Sequence, residues 1–231
     1  MDVLILAAGR GERMWPLTDH TPKALLEIRG ISLIERQIER LVSAGHRRLV
    51  VNLAHLGDLI EQRLGDGHRY GARIVYSREP EGALETGGGI VQALTHLRGD
   101  CFAVVNADVW TDFPYATLPN GPDGEAWLVL VDNPVHHPRG DFVLEGDRVG
   151  ESAEPGANTL TFAGIAVYRR GLFDGLPGGR YPLLPILRQA IHRGEVRGTH
   201  YRGAWLDVGT PERLEGLRAS LAAASCPDGH A

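Results

Sequence analysis

Val3-Leu4-Ile5-Leu6-Ala7-Ala8 runs into Gly9-Arg10-Gly11-Glu12-Arg13-Met14-Trp15-Pro16-Leu17-Thr18 and then Thr21-Pro22-Lys23. An apolar run closed by glycine has the pattern of a strand. The residues after it read as an anion-gripping loop. Small residues at Ala7, Ala8, Gly9 and Gly11 let backbone N–H groups approach an anion closely. Arg13 and Lys23 place positive charge on either side of a proline-stiffened turn. Better-known glycine loops do not fit. No Gly-Lys pair follows Gly9, so the Walker pattern fails, and Met14 stands where a dinucleotide fingerprint needs its third glycine, with Pro16 disrupting any helix beyond.

Outward from this loop the first half alternates strand and helix patterns. Residues 2–7 read as a strand, 31–44 as an amphipathic helix, 47–53 as a strand, 56–64 as a helix and 73–77 as a strand. A helix over 86–97 is entered through Glu85-Thr86-Gly87-Gly88-Gly89, and a strand at 101–106 ends in Asn106-Ala107-Asp108. Such alternation implies an α/β domain with a largely parallel sheet covered on both faces. The second half changes character. Strand-like runs at 126–131, 141–144, 147–150 and 159–168, separated by Gly, Pro and Asp, predict an antiparallel extension. A helix near 182–193, strands near 196–201 and 203–208, and a helix over 211–223 follow. Residues 1–224 are expected to form one domain, with 225–231 a frayed tail.

Composition narrows the function. With 43% hydrophobic and 23% charged residues among 231, the chain suits a soluble globular protein. It has no uncharged apolar stretch of about 18 residues to span a membrane. Met1-Asp2 carries no basic leader region, so a cytoplasmic location is expected. A net charge of −5 disfavours a nucleic-acid partner. Two cysteines, Cys101 and Cys226, make neither a disulfide framework nor a zinc site. The ten histidines include no metal-helix pair, and His136 and His137, flanked by Pro134 and Pro138, read as an exposed loop.

In an open α/β sheet, ligands bind outside the carboxyl ends of the strands. Besides the first loop, Asp108 after Phe102-Ala103-Val104-Val105 and Asp207 after Ala204-Trp205-Leu206 fall at such ends. From pattern alone, Asp108 serves equally as a turn or cap and Asp207 as a turn before Gly209. A poorly hydrated carboxylate needs a counter-charge, and two aspartates, several waters and substrate phosphates would suit one magnesium ion.

Gly-x-Gly-x-Arg followed by Pro-Leu-Thr and Pro-Lys resembles the signature of the sugar-1-phosphate nucleotidyltransferases. The resemblance implies a Rossmann-like three-layer fold with a mixed, mostly parallel central sheet, Mg2+ as cofactor, and small-molecule partners, a nucleoside triphosphate and a sugar 1-phosphate. It assigns Arg13, Lys23 and Asp108 to catalysis, Asp108 and Asp207 to the metal, and Ala7, Ala8, Gly9, Gly11, Glu12, Arg13 and Lys23 to the nucleotide. It also places the base at Gly87 and Gly88, where the residue pattern equally allows an N-cap at Thr86 with glycines behind it. Asn106, Gly140, Asp141 and Glu154 occupy sugar-binding positions, although Asp141 also reads as a β-turn residue and Glu154-Pro155 only echoes the usual Glu-Lys-Pro. Leu84-Glu85-Thr86-Gly87-Gly88-Gly89 departs from the common Leu-Gly-Thr-Ala-Gly.

With Asp132-Asn133-Pro134, Gly140-Asp141-Phe142 and Tyr201-Arg202-Gly203, the chain resembles the branch that joins UTP to N-acetylmuramate 1-phosphate in peptidoglycan recycling. A mannose- or glucose-1-phosphate nucleotidyltransferase would use the same catalytic residues. A non-catalytic nucleotide-sugar sensor would be expected to lack one of them. A monomer or small homo-oligomer is expected.

Overall fold

The computed structural model describes residues 1–80, 84–151 and 158–223. In chain order the strands are β1 (Asp2–Leu6), β2 (Glu27–Ile28), β3 (Ile31–Ser32), β4 (Arg48–Leu53), β5 (Arg73–Arg78), β6 (Cys101–Asn106), β7 (Val109–Thr111), β8 (Ala126–Val131), β9 (Phe142–Glu145), β10 (Arg148–Gly150), β11 (Thr159–Arg169), β12 (Val196–His200) and β13 (Trp205–Asp207). The helices are α1 (Leu33–Ser43), α2 (Gly57–Leu64), α3 (Glu85–Ala93), α4 (Leu184–His192) and α5 (Pro211–Ala223). Among the described residues no helix is long and apolar enough to cross a membrane.

Nine strands form one sheet in the order β5-β4-β1-β6-β11-β8-β12-β10-β9. The β5-β4-β1-β6 half is parallel throughout. At β11 the direction reverses, since β11 runs antiparallel to both β6 and β8. The sheet is therefore mixed. Its antiparallel extension is interrupted by one parallel pair, β8 with β12, and the strand expected at 203–208 joins β7 in a separate two-stranded sheet.

Period-2 alternation builds the three layers. Val3, Ile5, Leu49, Val51, Ala103 and Val105 pack on one face with Ile34, Ile38 and Leu41 of α1 and Ile60 of α2. Leu4, Val50, Phe102 and Val104 face the other way, onto Ile90 and Ala93 of α3 and Leu187 and Ile191 of α4. Near-continuous apolar runs such as Leu49-Val50-Val51 follow from burial on both faces. α1 begins in a capping box: Ser32 Oγ accepts from the Glu35 N–H, and the Glu35 carboxylate accepts from the Ser32 N–H. Burial alone would raise the Glu35 pKa, but hydrogen bonds from Arg63, Ser32 and Tyr70 outweigh it and hold the group at about 2.

α3 ends at Ala93, four residues short of the sequence expectation. Its three glycines carry the poorest helix propensity after proline, and 94–97 finish as hydrogen-bonded turns.

Candidate active site

The strand order places the switch point of the sheet between β1 and β6: successive strands proceed from β1 to β4 and β5 on one side, and β6 lies on the other. A ligand crevice is expected there, outside the strand carboxyl ends. A cavity of about 830 Å³ occupies that position, lined by the loop after β1, the ends of β4 and β6, the start of α3, Arg180 and Gly209.

The first loop is folded by its own residues. Gly11 has φ +66°, and a Cβ there would lie 3.0 Å from Thr18 Cγ2 and 3.1 Å from Lys23 Cβ. Only glycine lets the chain turn left-handed while Thr18 and Lys23 close in. Thr18 Oγ1 donates to the Gly11 carbonyl at 2.9 Å. The Trp15–Pro16 peptide is cis, and Met14 is buried with Leu26, Ile28, Leu33, Val208 and Leu214, which anchors the loop against α5.

Lys23 donates to Oδ2 of Asp108, two groups 85 residues apart in sequence. Their side chains are 13% and 30% exposed, so this pair is half-shielded. Arg10 and Arg13, both exposed, line the same cavity and have no ion-pair partner among the described residues. The loop end of the cavity therefore carries two guanidiniums and the Glu12 carboxylate, none of them in an ion pair among the described residues, a net positive charge of the kind that attracts a polyanion. Ala7, Ala8, Gly9, Gly11 and Glu12 line it too. The Ala7 N–H is already given to Asn52 Oδ1 at 2.6 Å.

Asp207 sits one strand from Asp108: it pairs with Val109, and the Val208 N–H donates to the Asp108 carbonyl at 2.9 Å. Its carboxylate accepts two bonds of 2.6 Å from Arg213 and lies 2.9 Å from His136 Nε2. His136 is thus tied to the Asp207 cluster from a loop that is exposed, as its sequence predicts. Gly209, not Asp207, lines the cavity. Among the described residues no group of three or more His, Cys, Asp or Glu side chains is placed to hold a metal. Asp108, in the turn between β6 and β7, and Asp207, on β13, are oxygen donors of the type a hard dication takes, each here paired with a side-chain cation, Lys23 and Arg213.

The remaining sequence-derived residues are not all in the cavity. Asn106 is, with its side chain packed over Gly164, where a Cβ would come within 2.5 Å of Nδ2. Gly140 and Asp141 lie outside the residues lining it. Asp141 holds β11, accepting the Phe162 N–H at 2.8 Å, with His137 Nε2 3.0 Å away. Gly87 and Gly88 are buried against the segment 179–182, where Cβ atoms would collide with the Gly179 and Pro182 carbonyls and with Tyr181. Their lack of side chains admits that segment; Glu85 and Thr86 face the cavity instead. Glu154 lies outside the described residues.

Asn52, Glu79 and Arg180 line the cavity although no motif in the sequence singles them out, and Glu85, marked there only as a departure from Leu-Gly-Thr-Ala-Gly, lines it with them. Asn52 Nδ2 donates to Glu79 Oε1 at 2.6 Å, and Glu79 Oε2 accepts the Leu84 N–H at 2.7 Å. This chain ties the loop after β1 to the start of α3. Polar residues at the ends of apolar strands, the signal that marked Asp108, also mark Asn52 and Glu79; nothing local marks Arg180.

The family model for nucleotidyl transferases matches residues 2–121. The chain is 47% identical to the N-acetylmuramate alpha-1-phosphate uridylyltransferase of Neisseria meningitidis serogroup B, over 95% of this chain and 97% of that one. The chain belongs to the nucleotidyl transferase family. This nucleotidyltransferase is also 34% identical to the N-acetylmuramate alpha-1-phosphate uridylyltransferase of Caulobacter vibrioides, across 96% and 97% of the two chains. Its fold matches a crystal structure from Bacillus anthracis, provisionally described as a glucose-1-phosphate thymidylyltransferase, with TM-score 0.81, 22% identity and coverage of 100% and 98%.

Proposed function

We propose that the enzyme joins UTP to N-acetylmuramate 1-phosphate, forming UDP-N-acetylmuramate and pyrophosphate. The observation that carries the reaction class is the convergence in one cavity of a left-handed glycine loop, two unpaired arginines and the Lys23–Asp108 pair. The choice of substrates is supported by the near-full-length likeness to the two uridylyltransferases.

A phosphate oxygen of the sugar substrate attacks the α-phosphorus of UTP in line. A new O–P bond forms, the bond from the α-phosphorus to its bridge oxygen breaks, and pyrophosphate leaves with the electron pair. A phosphate monoester, whose second pKa is about 6, is already largely dianionic at neutral pH and requires no general base. What the protein must overcome is repulsion between two anions. The Gly11 loop holds the triphosphate, and Arg13 and Lys23 neutralise charge developing on the leaving pyrophosphate. Mg2+ held by Asp108 and Asp207 would supply further charge neutralisation across the phosphates. Asn106 faces the sugar phosphate, and Gly140, Asp141 and Glu154 belong to the sugar side of the same reading. Substrates of this charge do not cross membranes unaided, which fits a cytoplasmic site of action.

The test is pyrophosphate release measured over four nucleoside triphosphates and a panel of sugar 1-phosphates. Highest kcat/KM is expected for UTP with N-acetylmuramate 1-phosphate. Preference for GTP with mannose 1-phosphate would overturn the substrate assignment and keep the reaction class; no release with any pair would overturn both.

A further inference from the structure

Glu85 stands where its residue type is disfavoured. Its φ of +58° lies in the left-handed region that glycine adopts freely and side chains resist. Strain of this kind persists only where the surroundings over-determine it, and it gathers at ligand sites. Here the neighbours are fixed on both sides. The Leu84 N–H is held by Glu79 and its carbonyl accepts the Tyr181 N–H at 3.1 Å, while the Gly88 N–H donates to the Tyr181 carbonyl at 3.2 Å. The strained residue delivers a carboxylate to the cavity wall, 3.0 Å from Nε of Arg180, which is brought there by the segment packed on Gly87 and Gly88.

Strand order decides which part of a nucleotide meets this pair. The phosphate loop follows β1, and Asn106 and Asp108 close β6 on one side; Asn52 near the end of β4 and Glu79 after β5 lie on the other. A triphosphate seated on Gly11, Arg13 and Lys23 with its α-phosphate toward Asp108 extends its nucleoside toward β4 and β5. Asn52 and Glu79 are committed to each other and to backbone amides. Glu85 and Arg180, paired with each other but with no backbone amide of the site to hold, and Thr86 are the polar side chains beyond them at the start of α3.

We propose that Glu85 and Arg180 read the base edge, an inference that rests on the uridylyl reading above. The Glu85 carboxylate accepts the N3–H of uracil, and the Arg180 guanidinium donates to the adjoining O4. Cytosine opposes both contacts in this register, presenting an acceptor at N3 and a donor at N4.

Wild type, Glu85→Gly and Arg180→Ala are assayed for pyrophosphate release from UTP, 3-methyl-UTP and CTP with N-acetylmuramate 1-phosphate, and melted without nucleotide. Wild type is expected to prefer UTP over both analogues by at least about tenfold in kcat/KM. Glu85→Gly is expected to bring UTP and 3-methyl-UTP within about twofold, while melting no lower than wild type because glycine suits the left-handed backbone. Arg180→Ala is expected to lose the preference over CTP. Unchanged ratios in both variants overturn the inference, and a lower melting temperature alongside them leaves the pair as a tie between α3 and the 179–182 segment only. A wild type that turns over another triphosphate but not UTP defeats the uridylyl assignment itself.

Discussion

Replacing Asn52 by alanine should destabilise the protein and loosen its nucleotide site together. Asn52 is 3% exposed. Its Oδ1 accepts the Ala7 N–H and its Nδ2 donates to Glu79, each at 2.6 Å. Truncation strands a shielded backbone amide and removes one hydrogen bond from a carboxylate. An unsatisfied buried donor costs about 1–3 kcal/mol and a bond to a charged group is worth about 1.5–3, so a loss of about 3 kcal/mol is expected after partial relaxation. Urea unfolding followed by circular dichroism measures it, and the cycle with Glu79→Gln isolates the pair, with a coupling of about 1.5 kcal/mol expected. Because Ala7 opens the phosphate loop and Leu84 precedes α3, KM for the nucleotide should rise in both variants. A loss below about 0.5 kcal/mol, or an unchanged KM, would refute the view that this chain of bonds sets the loop.

Lys23→Ala removes a cation and leaves Asp108 unpaired; we expect about 3 kcal/mol lost from transition-state stabilisation, read as kcat/KM, and the same scale for Arg13→Ala. Gly88→Ala drives a Cβ into the Gly179 carbonyl; overpacking on this scale costs about 2 kcal/mol, or a fall in melting temperature of roughly 4–8 °C for a chain of this size. Glu35 titrates near 4.5 when unfolded and near 2 when folded. Its stabilisation is complete above pH about 5 and is lost as pH falls toward 2, amounting to about 3 kcal/mol by linkage. The urea midpoint of Glu35→Gln should lack that component of the acid decline.

The parallel half of the fold was legible because its strands are apolar runs cut off by turn residues, with amphipathic segments between them. Residues such as Leu49-Val50-Val51 have no other way to be buried on both faces. β7 has no expectation in the sequence because Val109-Trp110-Thr111 is too short to show a period, whereas its partner Trp205-Leu206-Asp207 falls inside the strand expected at 203–208. At the cavity, Arg13, Lys23 and Asp108, which the structure brings together, each sit in a local pattern with a chemical requirement. Arg180 sits in none, since its place is set by packing between two segments almost a hundred residues apart, and the glycines that permit the packing read as ligand contacts. Glu85 was noticed as a departure; its left-handed backbone gives that departure a physical meaning.

The contact between Lys23 and Asp108 has a consequence for how the enzyme loads. Each charge is quenched by the other until something better is offered to both. A phosphate alone leaves the carboxylate bare, and a cation alone leaves the ammonium bare. On the proposed chemistry, a nucleotide bound together with a dication would satisfy Lys23 and Asp108 at one stroke, and the pair would then act as a coincidence gate that favours the complex over its parts.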